Sequence, residues 1–255
     1  MPRRIDINSD LGEAFGAYQL GQNRQLLDFV TSANVACGFH AGDPRVMEDT
    51  VNWAKEKGVR VGAHPGFPDL VGFGRREMRL SERELRTDLI YQLAALDGFC
   101  RVAGAKLQHV KLHGALYNQA AVDAEMARVV AQAVRDYDRE LIVIASPNSA
   151  LHREAEKIGL QVAKEVFADR AYHPDGKLVS RREPGAVLHD PEEVAWRALQ
   201  MVLEGWVRAS DGSRLSLSAD TICVHGDTPG AVDLVRRIRT ILEENGVQVR
   251  PLADV

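Results

Sequence analysis

The chain has 255 residues, 45% of them hydrophobic and 27% charged. That is enough to bury roughly three quarters of the unfolded surface in one α/β domain, and it excludes the disordered, collagenous and disulfide-framework classes. Lys and Arg number 32 against 36 Asp and Glu, a net charge of -4 without blocks of one sign, which argues against a nucleic-acid groove or a polybasic membrane anchor and leaves small molecules as the expected partners.

No apolar run approaches the ~18 residues of a membrane span. Met1-Pro2-Arg3-Arg4 leads into Asp6 instead of the apolar stretch of a secretion signal, so a cytoplasmic location is expected. Cys37, Cys100 and Cys223 show no metal-knuckle spacing and read as reduced, mostly packing residues. No repeat, low-complexity tract or linker divides residues 1–255, which are expected to form a single domain.

In chain order, the first strand is predicted over Arg4 to Ser9. Its period of two puts Asp6, Asn8 and Asp10 on one face and Ile5 and Ile7 on the other. A second strand over Ser32 to Cys37 is followed by His40 and by Asp43-Pro44, a helix start. A third, Arg60 to Ala63, ends at His64, after which Pro65 to Leu80 forms a long loop containing Gly72-Phe73-Gly74-Arg75-Arg76. Ser81 with Glu84 reads as a capping box. The fourth strand, Leu107 to Leu112, groups His109, Lys111 and His113. Strands at Leu141 to Ala145 and Gln161 to Val166 come next, then a long loop from Phe167 to His189 with Asp169, Arg170, Arg181 and Arg182. Asp190-Pro191 starts a helix, Thr221 to Val224 forms a strand leading to His225 and Asp227, Thr228-Pro229 starts another helix, and Val247 to Val249 is the eighth strand.

Strict alternation of strand and helix at this length predicts parallel strands with right-handed crossovers, and hence a (β/α)7-8 barrel. A doubly wound open sheet is the competing architecture. Polar residues on one face of several strands favour the barrel, because a parallel sheet covered on both sides reads as nearly continuous apolar runs.

Asp10, His40, His64, His113 and His225 all fall at or just beyond the C-terminal ends of predicted strands, the rim that holds active sites in such barrels. Arg75, Arg170 and Arg181, in rim loops, suit a carboxylate or phosphate, and the helix starts near His40 and His225 aim positive dipole ends at the same rim. Neither a G-x4-G-K-[ST] stretch nor HExxH is present. His109 and His113 lie about 13 Å apart along a strand, too far to share an ion. A divalent metal must therefore draw its ligands from different strands, and Asp10, His40, His64 and His225 are the candidate set.

Seven blocks in order carry a family resemblance: Asp6-Ile-Asn-Ser-Asp-Leu-Gly-Glu13, Ser32 through Pro44, Gly62-Ala-His-Pro-Gly66, Gly72-Phe-Gly-Arg-Arg76, Val110 through Asn118, Glu165-Val-Phe-Ala-Asp-Arg170 and Cys223-Val-His-Gly-Asp227. In these the chain closely resembles the LamB/YcsF family. The resemblance implies a distorted β/α barrel similar to that of polysaccharide deacetylases. It also implies ATP-dependent hydrolysis of the lactam 5-oxo-L-proline to L-glutamate, carried out with the B and C subunits of a 5-oxoprolinase and with ATP as co-substrate of the complex. Ser9 stands where the family commonly has Cys, and Leu112 where it commonly has Pro.

On this reading Asp10 takes a proton from water, His64 or His113 transfers protons, and Lys111 meets charge developing on oxygen. Asn8, Glu13, His40, Arg75, Asp169, Arg170, Arg181, His225 and Asp227 are the expected substrate-binding residues. A stand-alone metal-dependent deacetylase or amidohydrolase is the alternative, and a non-catalytic subunit binding a small acid is a second one.

Overall fold

The structure, a computed structural model, describes residues 3–18, 23–180, 183–224 and 230–252. Seven strands close into a parallel barrel: β1 (Arg4–Leu11), β2 (Ser32–Ala36), β3 (Arg60–His64), β4 (Leu107–Lys111), β5 (Ile142–Ala145), β6 (Val162–Phe167) and β9 (Thr221–Cys223). Each pairs in parallel with the next, and β9 returns to β1 with Asp6, Ile7 and Asn8 opposite Thr221, Ile222 and Cys223. That return pairing excludes the open sheet.

All eight expected strands are present, but the eighth does not join the ring. β10 (Gln248–Val249) pairs only with Arg4 and Ile5 at the start of β1, below the level where β9 closes the barrel. An antiparallel pair, β7 (Trp206–Arg208) with β8 (Arg214–Ser216), lies outside the ring and was not expected; three-residue strands are too short for a period of two to stand out.

Helices fill the crossovers between strands, and most of them start at a capping side chain. They are α1 (Asn23–Leu26), α2 (Pro44–Glu56), α3 (Glu82–Ala103), α4 (Gly114–Val122), α5 (Ala124–Tyr137), α6 (Ala150–Lys157), α7 (Pro191–Glu204) and α8 (Ala231–Glu244). Asp43 caps α2 by accepting from the Arg45 and Val46 amides at 2.8 and 3.2 Å, with Pro44 in the first turn where no amide hydrogen is needed. Ser81 and Glu84 form the full capping box of α3, and Asp190 caps α7. Thr228 and Pro229 lie outside the described residues. No helix among the described residues is long and apolar enough to cross a membrane.

The main apolar core lies between barrel and helices. Ile5, Ile7, Val35 and Val110 point outward from the strands to meet residues such as Val51, Leu89, Leu93, Val130 and Ile238. Each such side chain contributes about 1.5–3 kcal/mol by leaving water. A smaller apolar cluster joins Ile142, Ile144 and Ala163 to Leu252. The opposite faces of β1, β2, β4 and β9 are polar, and with Glu165 of β6 they build the site.

Candidate active site

The inward residues of β1 meet those of its neighbours in successive layers. At the base, Asp6 Oδ1 accepts from the hydroxyls of Thr31 and Ser32, each at 2.7 Å, and Oδ2 accepts from Thr221 at 2.5 Å. Burial nevertheless pushes its carboxyl up to about 6, because three neutral donors do not replace water around a charge. One layer higher, Asn34 Nδ2 donates to Asn8 Oδ1 (2.7 Å) and to Asp10 Oδ1 (2.8 Å), while Asn8 Nδ2 donates to Glu165 Oε1 (3.1 Å) and to Thr221 Oγ1 (2.7 Å).

Lys111 crosses the interior between two carboxylates. Its Nζ lies 2.9 Å from Asp10 Oδ1, 2.9 Å from Glu165 Oε1 and 2.9 Å from Cys223 Sγ. Burial acts to lower the ammonium, but Asp10, Cys223 and Glu165 outweigh it and hold the pKa well above the ordinary value. Lys111 is therefore a permanent cation. His109, beside it, is driven down to about 3 by burial and by that cation, and its Nε2 donates to Asn34 Oδ1 at 2.8 Å. The ring fits only because residue 62 is glycine: a Cβ there would lie 2.0 Å from His109 Nε2.

At the rim, Glu13, His40, His64 and His113 bring one donor atom each to within 4.8 Å of one another. They follow or end β1, β2, β3 and β4, four consecutive staves of the barrel. Glu13 Oε1 lies 3.1 Å from His40 Nε2, 3.2 Å from His113 Nδ1 and 3.8 Å from His64 Nε2. The His40 and His113 rings stack at 3.6 Å. Burial acts to raise the Glu13 carboxyl, yet the adjacent imidazoles of His113 and His40 hold it well below its usual range.

Burial lowers His40 to about 3 and also lowers His113, whereas Asp10 and Glu13 overcome burial at His64 and raise it. His113 is aimed by its own amide, which donates to Pro65 O at 2.8 Å, so Leu112 in the preceding position does not leave it loose. Such a set of three imidazoles and a carboxylate can hold a metal ion.

The sequence has relatives over its full length. The LamB/YcsF family model matches residues 5–255. The chain is 55% identical over 251 residues, 98% of each chain, to the 5-oxoprolinase A subunit of Pyrococcus abyssi. This chain belongs to the LamB/YcsF family. The crystal structure of the lactam utilization protein from Thermus thermophilus superposes with a TM-score of 0.93 at 49% identity, covering 97% of this chain and 99% of that one. A T48 deacetylase with substrate superposes with a TM-score of 0.51 at 14% identity over 99% of this chain and 89% of that one, a likeness of fold, as expected for a deacetylase-like barrel.

In this LamB/YcsF barrel the structure brings together Asn8, Asp10, Glu13, His40, His64, Lys111 and His113. Among the described residues, the atoms that converge with His40 and His64 are those of Glu13 and His113. Asp10 Oδ2 stands just outside, 3.5 Å from His64 Nε2. Arg181, His225 and Asp227 lie outside the described residues.

Arg75 is exposed, its guanidinium over the Phe73 ring at 4.9 Å from the centroid. Arg170 is buried and donates to the Ala186 and Val179 carbonyls at 3.3 and 2.6 Å, tying the long loop after β6 to itself, with Asp169 buried next to it. Sequence reasoning missed Asn34, Glu165 and Cys223 as members of the polar interior. The signal was present: alternation puts Asn34 with Ser32, Cys223 with Thr221, and Glu165 on an otherwise apolar face with Ala163 and Phe167.

Proposed function

We propose that this chain is the A subunit of an ATP-dependent 5-oxoprolinase, a cytoplasmic enzyme that opens 5-oxo-L-proline to L-glutamate together with B and C subunits. What carries this reading is the full-length identity to proteins of that name, joined to a barrel mouth where a fixed cation and a carboxylate sit side by side.

A lactam resists water because its nitrogen lone pair is delocalised into the carbonyl. Transfer of the ATP γ-phosphoryl group to the amide oxygen makes the ring carbon electrophilic. The chain has no Walker-type loop, so the triphosphate is not cradled by one here. Water then adds to the carbon, the C–N bond breaks with a proton delivered to nitrogen, and hydrolysis of the resulting acyl phosphate yields glutamate and phosphate.

Asp10 is placed to take the proton of the attacking water: its side chain is 12% exposed, and Asn34 and Lys111 hold Oδ1 and so orient the carboxylate. Lys111, kept charged by its neighbours, offsets negative charge that develops on oxygen. Arg75, exposed at the rim, is assigned to the substrate carboxylate. His64 and His113 surround Glu13.

Reconstitution tests the reading. Mixed with B and C subunits, the chain should form glutamate only when ATP and every component are present, and Asp10→Asn should lower kcat by at least about 100-fold while the complex still assembles. Turnover without ATP would point to a stand-alone amidohydrolase instead, and parent-like activity in Asp10→Asn would take Asp10 out of the chemistry.

A further inference from the structure

The hydrogens of the rim cluster cannot all be placed without an added cation. His64 Nδ1 lies 2.8 Å from the Lys111 main-chain oxygen, and His113 Nε2 lies 2.8 Å from the Phe73 main-chain oxygen. A carbonyl only accepts, so both ring nitrogens are the N–H donors, and in neutral rings the other nitrogens carry bare lone pairs. Those two, His64 Nε2 and His113 Nδ1, face each other at 3.0 Å, with Glu13 Oε1 beside them. Three acceptors thus converge with no hydrogen between them. The fourth ring, His40, has its Nε2 at the same carboxylate oxygen, while its buried Nδ1 has no hydrogen-bond partner, so no bond at Nδ1 fixes its tautomer.

We infer that Glu13, His40, His64 and His113 bind one divalent first-row transition-metal ion. Holding the outer N–H of a histidine on a main-chain carbonyl, as His64 and His113 are held, is how metal-bound imidazoles are oriented. A carboxylate beside the three rings, with Asp10 next to it, suits a cation at their centre. Three imidazoles and one carboxylate without a thiolate select zinc, cobalt, manganese, nickel or iron over magnesium or calcium, which prefer all-oxygen sites.

The site is independent of the substrate proposed above and is tested on the full chain alone, without lactam, ATP or partners. Chelator-stripped protein is titrated with CoCl2 and with ZnCl2, reading calorimetric stoichiometry, the visible absorption of protein-bound Co2+ and the melting temperature. One ion per chain is expected, with a Co2+ spectrum and a raised melting temperature. Glu13→Gln and His113→Ala should each weaken binding by at least about 100-fold, whereas His152→Ala, which removes a histidine on α6, should leave it unchanged.

Circular dichroism reports whether each variant folds; if His113→Ala does not, the near-isosteric Glu13→Gln carries the comparison. Absence of uptake and of any melting shift in the stripped parent would overturn the inference, as would equal affinity in Glu13→Gln and His152→Ala. A chain that binds Co2+ yet forms no glutamate with its partners would remove the 5-oxoprolinase reading and leave the metal site standing, and the reverse result would do the opposite.

Discussion

At the scale of single residues, the barrel interior carries polar groups that cost free energy to bury and are retained through mutual bonding. Asp6 is the clearest case. Its carboxyl is raised from 3.8 to about 6, so between those values the native state holds a proton that the unfolded chain has released. Stability from this group is therefore full below about pH 4 and falls as pH rises to about 6, by about 3 kcal/mol in total. Asp6→Asn, which keeps the shape and an acceptor, should remove that slope. Measured by urea unfolding, its stability relative to the parent should improve by up to about 3 kcal/mol between pH 4 and pH 7; a difference that does not change with pH would show that Asp6 is not desolvated in this way. The alternation that places Asp6, Asn8 and Asp10 inward was legible in the sequence. Glu165 was not recognised, because one carboxylate in Val162 to Phe167 looks like a surface residue until Lys111 is seen opposite it, 2.9 Å away.

At the scale of elements, local chemistry set the helix starts and the sequence displayed them plainly. Asp43, Ser81 and Asp190 all cap as their spacing predicts, because capping is settled within four residues. Ser81→Ala removes the side-chain half of the capping box on the 22-residue α3 at an exposed position and leaves the bond from its own amide to Glu84. It should cost about 1 kcal/mol, a fall in melting temperature of about 2–4 °C, with no change in glutamate formation in the reconstituted complex. The loops were less legible. The stretch from Pro65 to Leu80 was expected to bind ligand through Arg75, and much of its work is also to support the rim: Phe73 gives its carbonyl to His113, and a Cβ on Gly74 would press within 2.8 Å of His113 and His40. Arg76 is held by Asp69 within the same loop. Such assignments depend on the path of a loop, which no periodicity reports.

At the scale of the whole molecule, closure decides what the inward residues meet. With β9 returning to β1, Asn8 of the first strand reaches Thr221 of the strand that closes the ring, and Lys111 reaches Cys223. On the less polar side Ile142, Ile144 and Ala163 pack with Leu252, which lies far along the chain from them. Leu252→Ala should cost about 2–5 kcal/mol, seen as a lower urea midpoint with an unchanged m-value; a cost near zero would mean that the surrounding chain refills the space.

The sequence by itself determined the alternating elements, the inward faces and the gathering of histidines at strand ends, because periodicity and capping act over a few residues and leave their mark in local order. Only the tertiary structure decided that Glu13 and His113 join His40 and His64, that Glu165 and Asp10 share Lys111, and that β10 stays outside the ring. Those outcomes depend on strand register and loop course, which bring together residues from tens to more than two hundred positions apart, and no local pattern encodes the distance between them.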